Sequence, residues 1–163
     1  MTTQEQQADM ITEMFPIPEG AKRLKRFLGD WTAQGSLAME GNSLPVRGSW
    51  RFVPAAAGWG IRAKFEANIE GMGHMDEDDL TGFDAETGLS HIYSLTNTGN
   101  VHDHVGRWTG ADSVEFVCET TQGGKPYREV IVCTFHGDRE LVISSTEYVG
   151  GEQISAFEAT LRK

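Results

Sequence analysis

From Asp30 to the C-terminus, apolar and polar residues alternate with a period of two, and this alternation restricts the chain to an all-β fold. The alternating stretches are short, and turn formers such as Gly41-Asn42 and Gly123-Gly124 separate them. No helical segment lies between them, so a parallel α/β sheet is excluded. We predict ten strands at residues 30–40, 44–54, 59–70, 77–84, 89–95, 101–109, 113–120, 126–136, 139–149 and 152–162.

Short turns between all of these strands predict an up-and-down antiparallel arrangement that closes into a barrel. A long open meander would leave two unpaired edge strands, and closure removes both of them. A barrel of about ten strands is wide enough to keep an interior cavity. Before the first strand, Leu24, Phe27 and Leu28 have helical spacing and Gly29 ends the segment, which predicts one short helix. We expect an N-terminal arm at residues 1–17 and a single barrel domain at residues 18–163.

Composition limits the function classes that remain. The chain has 163 residues, which suits one domain, and its formal net charge is −10. Because no large Lys/Arg cluster is present, nucleic acid is not an expected partner. No apolar stretch approaches the roughly 20 residues that cross a bilayer, and the first residues lack the apolar core of a signal peptide. We therefore expect a cytoplasmic protein that does not bind membranes and whose partner is a small molecule.

A histidine cluster falls in the hairpin predicted at residues 89–95 and 101–109. His102 and His104 are two residues apart on one strand, so they share a face in any register. If Thr98-Gly99 is a two-residue loop, Tyr93 lies opposite His104, and His91 shares the same face. A loop that differs by one residue moves His91 to the other face.

The cluster is compatible with two kinds of chemistry. Three imidazoles with an open coordination position are typical of a catalytic zinc or non-haem iron, with His91, His102 and His104 as metal ligands. Alternatively, His102 and His104 with Tyr93 move protons in a lyase, cyclase or isomerase. A third interpretation places the histidines on the outer face of the barrel, where they have no chemical role.

Four further residues are candidates for contact with a ligand in the barrel. Trp50 and Trp108 suit the wall of a pocket, since pockets are mostly apolar with a few placed polar groups. Arg128 and Glu129 occupy opposite faces of one strand, and an inward Arg128 would bind a carboxylate. A structural ion pair with an acidic residue of the neighbouring strand explains Arg128 equally well. Glu158 is open to the same two interpretations.

Two other features have simpler explanations. The acidic run Asp76-Glu77-Asp78-Asp79 lacks the Asp-x-Asp-x-Asp-Gly spacing of a calcium loop. It is better explained as a solvated loop or as charge that protects a sheet edge. Cys118 and Cys133 lie on consecutive strands, too far apart along the ladder for a disulfide, so we expect free buried thiols of the kind found in reducing compartments.

Several short motifs resemble the bacterial DUF1579 family, which belongs to the lipocalin-like calycin group. They include Gly29-Asp30-Trp31 after the short helix, Gly82-Phe83-Asp84, and Arg128-Glu129-Val130 in a late strand. Their order and spacing agree from about residue 24 to the C-terminus. The resemblance implies a calycin β-barrel that the helix closes at one end, and a homodimer, but it supplies no reaction.

The haem-binding nitrobindins of the same group also begin with a Gly-x-Trp strand, and they use a histidine near the C-terminus as iron ligand. Here the strand predicted at residues 152–162 contains no histidine, and the last one is His136. Haem is therefore not an expected cofactor. The function predicted from the sequence is the binding of a small, partly hydrophobic organic molecule in the barrel. The alternative is a small-molecule enzyme that uses the histidines for acid/base chemistry or as ligands of a divalent metal.

Overall fold

The computed structural model describes residues 13–163, and within them ten antiparallel strands form a closed barrel. Each strand pairs with its neighbours in sequence, and β1 pairs with β10 to close the sheet. This architecture confirms the predicted fold class. The arm predicted at residues 1–17 lies mostly outside the described residues. The strands are β1 (Gly29–Met39), β2 (Asn42–Ala55), β3 (Gly60–Ile69), β4 (Gly73–Asp84), β5 (Leu89–Thr96), β6 (Val101–Trp108), β7 (Ser113–Gln122), β8 (Lys125–Phe135), β9 (Glu140–Val149) and β10 (Glu152–Arg162).

One end of the barrel is covered by a short helix, α1 (Glu19–Arg23), which continues as a 3-10 turn at Leu24–Phe27. Arg26 Nη1 donates a hydrogen bond to the carbonyl of Ala111 at 2.8 Å, in the connection between β6 and β7. This contact holds the helix across that end of the barrel. In the part of the chain that the structure describes, no helix is long and apolar enough to span a bilayer.

The hydrophobic core fills the end of the barrel next to the helix. Trp31 is 1% exposed, and its indole Nε1 donates to the backbone carbonyl of Phe27 at 2.6 Å. Burial of each large apolar side chain contributes roughly 1.5–3 kcal/mol relative to an exposed one. Around Trp31 lie the buried side chains of Leu24, Phe27, Val114, Phe116, Phe135, Leu141 and Leu161. Part of this core, including Phe27 and Phe116, also forms the inner end of a cavity that continues toward the opposite end of the barrel.

The register of the β5–β6 hairpin differs by one residue from the prediction. Ser94 pairs with His102 and Ile92 pairs with His104, whereas the two-residue loop had placed Tyr93 opposite His104. The amide of Thr96 donates to the carbonyl of Asn100 at 3.1 Å, so the hairpin closes as a three-residue loop, 97–99, in which Gly99 has a φ of +85°. Side chains alternate along a strand, so the added length turns His91 and Tyr93 to the outer face.

The acidic run is part of β4, so the solvated loop that we expected there is wrong. Asp76 and Asp78 point outward, and both contact the ammonium of Lys64 on β3. Glu77 and Asp79 alternate with them and point into the barrel, where they line its cavity.

Candidate functional site

The barrel encloses a cavity of about 370 Å³. It extends from Phe27, beside the helix, to Met72, Thr98 and Asn100 in the turns at the opposite end. Small-molecule sites commonly have volumes of about 300–1,000 Å³. The cavity therefore has room for one small organic molecule, which would enter from the end opposite the helix.

One wall of the cavity is apolar and comes mostly from the first three strands. Trp50 on β2 and Phe65 on β3 are cross-strand partners, and their rings are stacked with centroids 3.8 Å apart and an interplanar angle of 15°. The stacked pair lies in the cavity wall, which is where the sequence predicted Trp50. The remaining apolar side chains of this wall include Leu37, Met39, Val46, Phe52, Ile61, Ile69 and Phe157.

The facing wall is polar and acidic. Among the described residues that line the cavity, none is a lysine or an arginine. The wall thus combines carboxyl groups with two imidazoles and several hydroxyls. Its polar side chains are Glu77, Asp79, Thr81, Ser94, Thr96, His102, His104, Glu129, Ser145, Glu147 and Ser155.

Glu129 on β8 is the centre of a hydrogen-bonded network in this wall. Its Oε2 lies 2.9 Å from Nε2 of His104 and 3.5 Å from Nδ1 of His102. Ser145 donates its hydroxyl to Oε1 at 2.6 Å, and the Tyr127 hydroxyl donates to Oε2 at 3.2 Å. One carboxylate thereby orients both inward histidines.

These contacts set the protonation of the network. Burial alone would raise the pKa of Glu129, but the hydrogen bonds from His102, His104 and Ser145 outweigh it and hold that pKa well below its usual range. The contact with Glu129 raises the pKa of His102, against the opposing effect of burial. Burial and then the charge of Glu129 raise the pKa of Tyr127. A carboxylate therefore faces a readily protonated imidazole, as general acid/base chemistry requires.

The pKa values of the other inward carboxyl groups are raised, whereas that of Glu129 is lowered. Burial raises the pKa of Asp79 to about 7. Burial, and then the charge of Asp79, raise the pKa of Glu77 well above its usual value. On β9, burial and then the charge of Glu129 raise the pKa of Glu147. Oδ1 of Asp79 is buried and has no hydrogen-bond partner among the described residues.

The predicted cluster of three histidines is only partly formed. His102 and His104 face the cavity, as their spacing required. His91 lies on the outer face, where its Nδ1 is 3.2 Å from Oδ1 of Asp103, and Tyr93 is 55% exposed on the same face. The metal site built from all three histidines and the phenol of Tyr93 as a partner of His104 are therefore wrong, because the hairpin register differs by one residue.

Three of the residues predicted to contact a ligand also lie outside the cavity. Trp108 is at the closed end of the barrel, where the guanidinium of Arg23 lies 3.8 Å from its ring centroid. Arg128 faces outward and its Nε is 3.4 Å from Oε1 of Glu119, which is the structural ion pair that the sequence also allowed. Glu158 is exposed on the outer face of β10.

A different set of donors could hold a metal ion inside the barrel. The ligand atoms of His102, His104 and Cys118 lie within 4.8 Å of one another. Two imidazoles and one thiol form a donor set that zinc accepts. Cys118 thus occupies the place that the sequence had assigned to His91. It is a free, buried thiol, as is Cys133.

The cavity-lining acids that the sequence analysis missed as candidate site residues are Glu77, Asp79, Glu129 and Glu147. Strict alternation along β4 would have separated the acidic run into two inward and two outward members. Arg128 and Glu129 occupy opposite faces of β8, and the sequence alone does not show that Glu129 is the inward residue.

No family model and no curated protein matches the sequence. Among solved structures, the S-type phycobiliprotein lyase CPES from Guillardia theta matches with a TM-score of 0.58 and 13% identity, over 86% of this chain and 90% of that chain. A redesigned β-barrel, mFAP0, bound to DFHBI, matches with a TM-score of 0.51 and 9% identity, over 85% and 99% of the two chains. EF1p2_mFAP2b bound to DFHBI matches with a TM-score of 0.51 and 10% identity, over 89% and 99%. At these identities the similarity shows a shared β-barrel fold alone, and it does not support membership of the DUF1579 family.

Proposed function

We propose that the barrel binds a small, partly hydrophobic organic molecule. The observation that carries this proposal is the cavity of about 370 Å³ with two contrasting walls, one aromatic and one polar. Apolar surface with a few convergent polar groups is the usual composition of a small-molecule site. Two structures of the same fold hold DFHBI, which supports the use of such a barrel for a ligand of this size.

A neutral solvatochromic dye, Nile red, tests the proposal. We expect a saturable increase in its fluorescence at one dye per chain, because the cavity replaces water with apolar contacts. Leu37→Trp, which adds an indole to the cavity wall, should weaken dye binding by about tenfold or more. The matched control Ala38→Trp adds the same indole to the exposed outer face of β1 and should bind the dye normally.

Two results would contradict the proposal. The first is dye fluorescence that rises without saturation. The second is saturable binding that Leu37→Trp and Ala38→Trp leave equally intact, since the dye would then lie on the surface. Circular dichroism of both variants should show the strand spectrum of the parent protein, which confirms that either variant is folded.

A second candidate function is small-molecule catalysis on the same polar wall. It is favoured by the 2.9 Å contact between His104 and Glu129 beside the cavity. His102 and His104 would move protons in a lyase, cyclase or isomerase reaction, or would bind a divalent metal together with Cys118. In the catalytic role the phenol of Tyr127 replaces that of Tyr93, because Tyr127 contacts Glu129.

Elemental analysis of the purified protein distinguishes the metal-dependent enzyme (the metal version) from the enzyme that uses the histidines for proton transfer alone (the proton-transfer version). The metal version predicts about one zinc or iron per chain, lost in His102→Gln and retained in His91→Gln, because only His102 belongs to the inward donor set. His91→Gln is the matched control, since it removes an imidazole from the outer face of the neighbouring strand. Protein that lacks metal under metal-replete expression would contradict the metal version and retain the proton-transfer version.

The cellular location and the oligomeric state are further proposals. Cys118 and Cys133 are free and buried, which supports a reducing compartment such as the cytoplasm. The proposal of a homodimer rests on the resemblance to the DUF1579 family. Light scattering coupled to size-exclusion chromatography measures the molar mass in solution, which distinguishes a monomer from a dimer.

A further inference from the structure

We infer that the cavity selects an organic cation, whose apolar body packs against Trp50 and Phe65 and whose protonated amine binds Asp79 and Glu77. This inference rests on the proposed function, because it names the charge class of the molecule that the barrel binds. It is carried by the balance of charge in the cavity, by one buried oxygen without a partner, and by the position of the acids relative to the aromatic wall.

The balance of charge favours a cation. The cavity is lined by four carboxyl groups, those of Glu77, Asp79, Glu129 and Glu147. The histidines on β6 contact Glu129, but no lysine or arginine among the described lining residues compensates the other three acids. Buried carboxylates without a positive partner are unfavourable. In the free protein protonation relieves this cost, because the pKa values of these three acids are raised. A bound cation would instead allow them to ionise.

Asp79 identifies where the positive group would bind. Its Oδ1 is buried and has no hydrogen-bond partner among the described residues, although the side chain lines the cavity. Buried polar atoms without partners are uncommon, and each one calls for an explanation. Rotation of the carboxyl group about its Cβ–Cγ bond would turn this oxygen toward the cavity, where an N–H donor of a ligand would satisfy it. Ser94, the cross-strand partner of Asp79, lines the same part of the cavity, and its hydroxyl lies 3.4 Å from Nδ1 of His104.

The aromatic wall and the acids meet along one row of the sheet. Trp50 pairs with Phe65, and Phe65 pairs in turn with Glu77. Directly opposed residues of neighbouring strands have Cβ atoms about 4.5–5.5 Å apart. A flat molecule that lies on Phe65 therefore brings an attached amine within reach of Glu77 and Asp79. The rings themselves attract a cation. An inorganic divalent ion, in contrast, would gain nothing from the apolar wall.

Protonation gives the inference a second, independent signature. Besides burial, the groups that affect the pKa of Asp79 are Glu77 and Asp78 on its own strand, Ser94 on β5 and Glu129 on β8. Burial, and then the charge of Asp79, raise the pKa of the Cys133 thiol on β8. Because burial raises the pKa of Asp79 to about 7, part of the free protein carries a proton there at neutral pH. A cation binds the ionised form, so its affinity should rise between pH 6 and pH 8, and binding should release a proton.

The experiment compares three molecules that share an indole body and differ in charge. Tryptamine is a cation, indole-3-ethanol is neutral, and indole-3-acetate is an anion. At pH 8, we expect tryptamine to bind at least about tenfold more tightly than the alcohol, and the acetate to bind most weakly. Calorimetry in two buffers of different ionisation enthalpy should report proton release for tryptamine at pH 7.

Asp79→Asn and Asp78→Asn form the matched pair of variants. Both remove one carboxylate from β4, but Asp79 faces the cavity and Asp78 faces outward toward Lys64. We expect Asp79→Asn to remove the preference for tryptamine over the alcohol and to remove the proton release. The preference should persist in Asp78→Asn.

The outcomes that overturn the inference differ from those that overturn the proposed function. If all three indoles bind equally, or if the alcohol binds best, while Leu37→Trp still blocks Nile red, the barrel is a small-molecule site without selection for cations. If tryptamine is preferred equally in both aspartate variants, the amine does not bind at Asp79, and the inference is wrong in that form as well. If neither Nile red nor any indole binds, both proposals are wrong.

Discussion

Asp79→Asn should raise the free energy of unfolding by about 2–4 kcal/mol at pH 8 and leave it nearly unchanged at pH 4. In the unfolded chain this carboxyl ionises near its ordinary pKa of 3.8, whereas burial raises its pKa to about 7 in the folded protein. Between these values the folded state binds the additional proton, so the stability of the parent protein falls as the pH rises from about 4 to about 7. The neutral amide does not ionise and avoids this loss.

Urea denaturation at pH 4, 6 and 8 measures the effect, and Asp78→Asn is the control. Asp78 has a side chain that is 68% exposed, and Oδ2 lies 2.9 Å from the ammonium of Lys64. The control should leave stability unchanged or slightly lower, because an exposed ion pair contributes little. If Asp79→Asn stabilised the protein equally at pH 4 and pH 8, the effect would arise from packing and not from the charge.

The fold was predictable from the sequence because two local signals agree. Alternation with a period of two defines strands, and the glycine pairs between them define short turns, so closure into a barrel follows from the need to remove edges. The shared inward face of His102 and His104 was equally predictable. Their spacing of two residues fixes it whatever the register of the hairpin.

The rest of the histidine site was not predictable, because it depended on the length of one loop. The sequence Thr96-Asn97-Thr98-Gly99-Asn100 contains turn formers at every position, and its composition does not select between a two-residue and a three-residue loop. The observed three-residue loop, residues 97–99 between Thr96 and Asn100, gives β5 the opposite parity relative to β6. That single difference moved His91 and Tyr93 out of the site.

The acids of the polar wall were missed for a different reason. A run of four acidic residues is usually solvated, and burial of two of them is unfavourable unless the interior of the barrel is open to water or ligand. The outward members contact Lys64, which explains how the strand tolerates them. Alternation along β4 separates the run into two pairs, but it does not show that Glu77 and Asp79 are the inward pair, because their setting is created by strands distant in sequence.

Glu129→Gln should act in the opposite direction to Asp79→Asn and lower the free energy of unfolding by about 2–4 kcal/mol at pH 6. The side chain of Glu129 is 12% exposed, and its carboxylate accepts contacts from His102, His104 and Ser145. Its pKa lies well below the usual range even though burial and the neighbouring acids oppose ionisation, so the folded state stabilises this charge on balance. An amide keeps the shape but gives up the charge and presents N–H groups to donors.

The pH dependence of this loss follows from the two partners. Glu129 has a lowered pKa, so its contribution is complete above the ordinary value of 4.5 and disappears as the pH falls toward the folded pKa. His102 has a raised pKa, so its contribution is complete below 6.5 and disappears as the pH rises through the folded value. The destabilisation of Glu129→Gln should therefore be largest between about pH 4.5 and 6.5.

Glu119→Gln is the matched control for Glu129→Gln, because it breaks an ion pair on the outside of the barrel. Its side chain is 72% exposed and pairs with Arg128, the residue that precedes Glu129 in β8. We expect a much smaller change from this control at every pH, since exposed pairs are screened by water. Equal losses in the two variants would show that Glu129 is solvated like Glu119, and the network would then not hold the histidines in place. A large loss of unfolding free energy confined to Glu129→Gln, together with a gain in Asp79→Asn, would mean that the cavity stabilises the ionised form of Glu129 and destabilises that of Asp79. The second carboxylate is then the one that a positively charged ligand would stabilise.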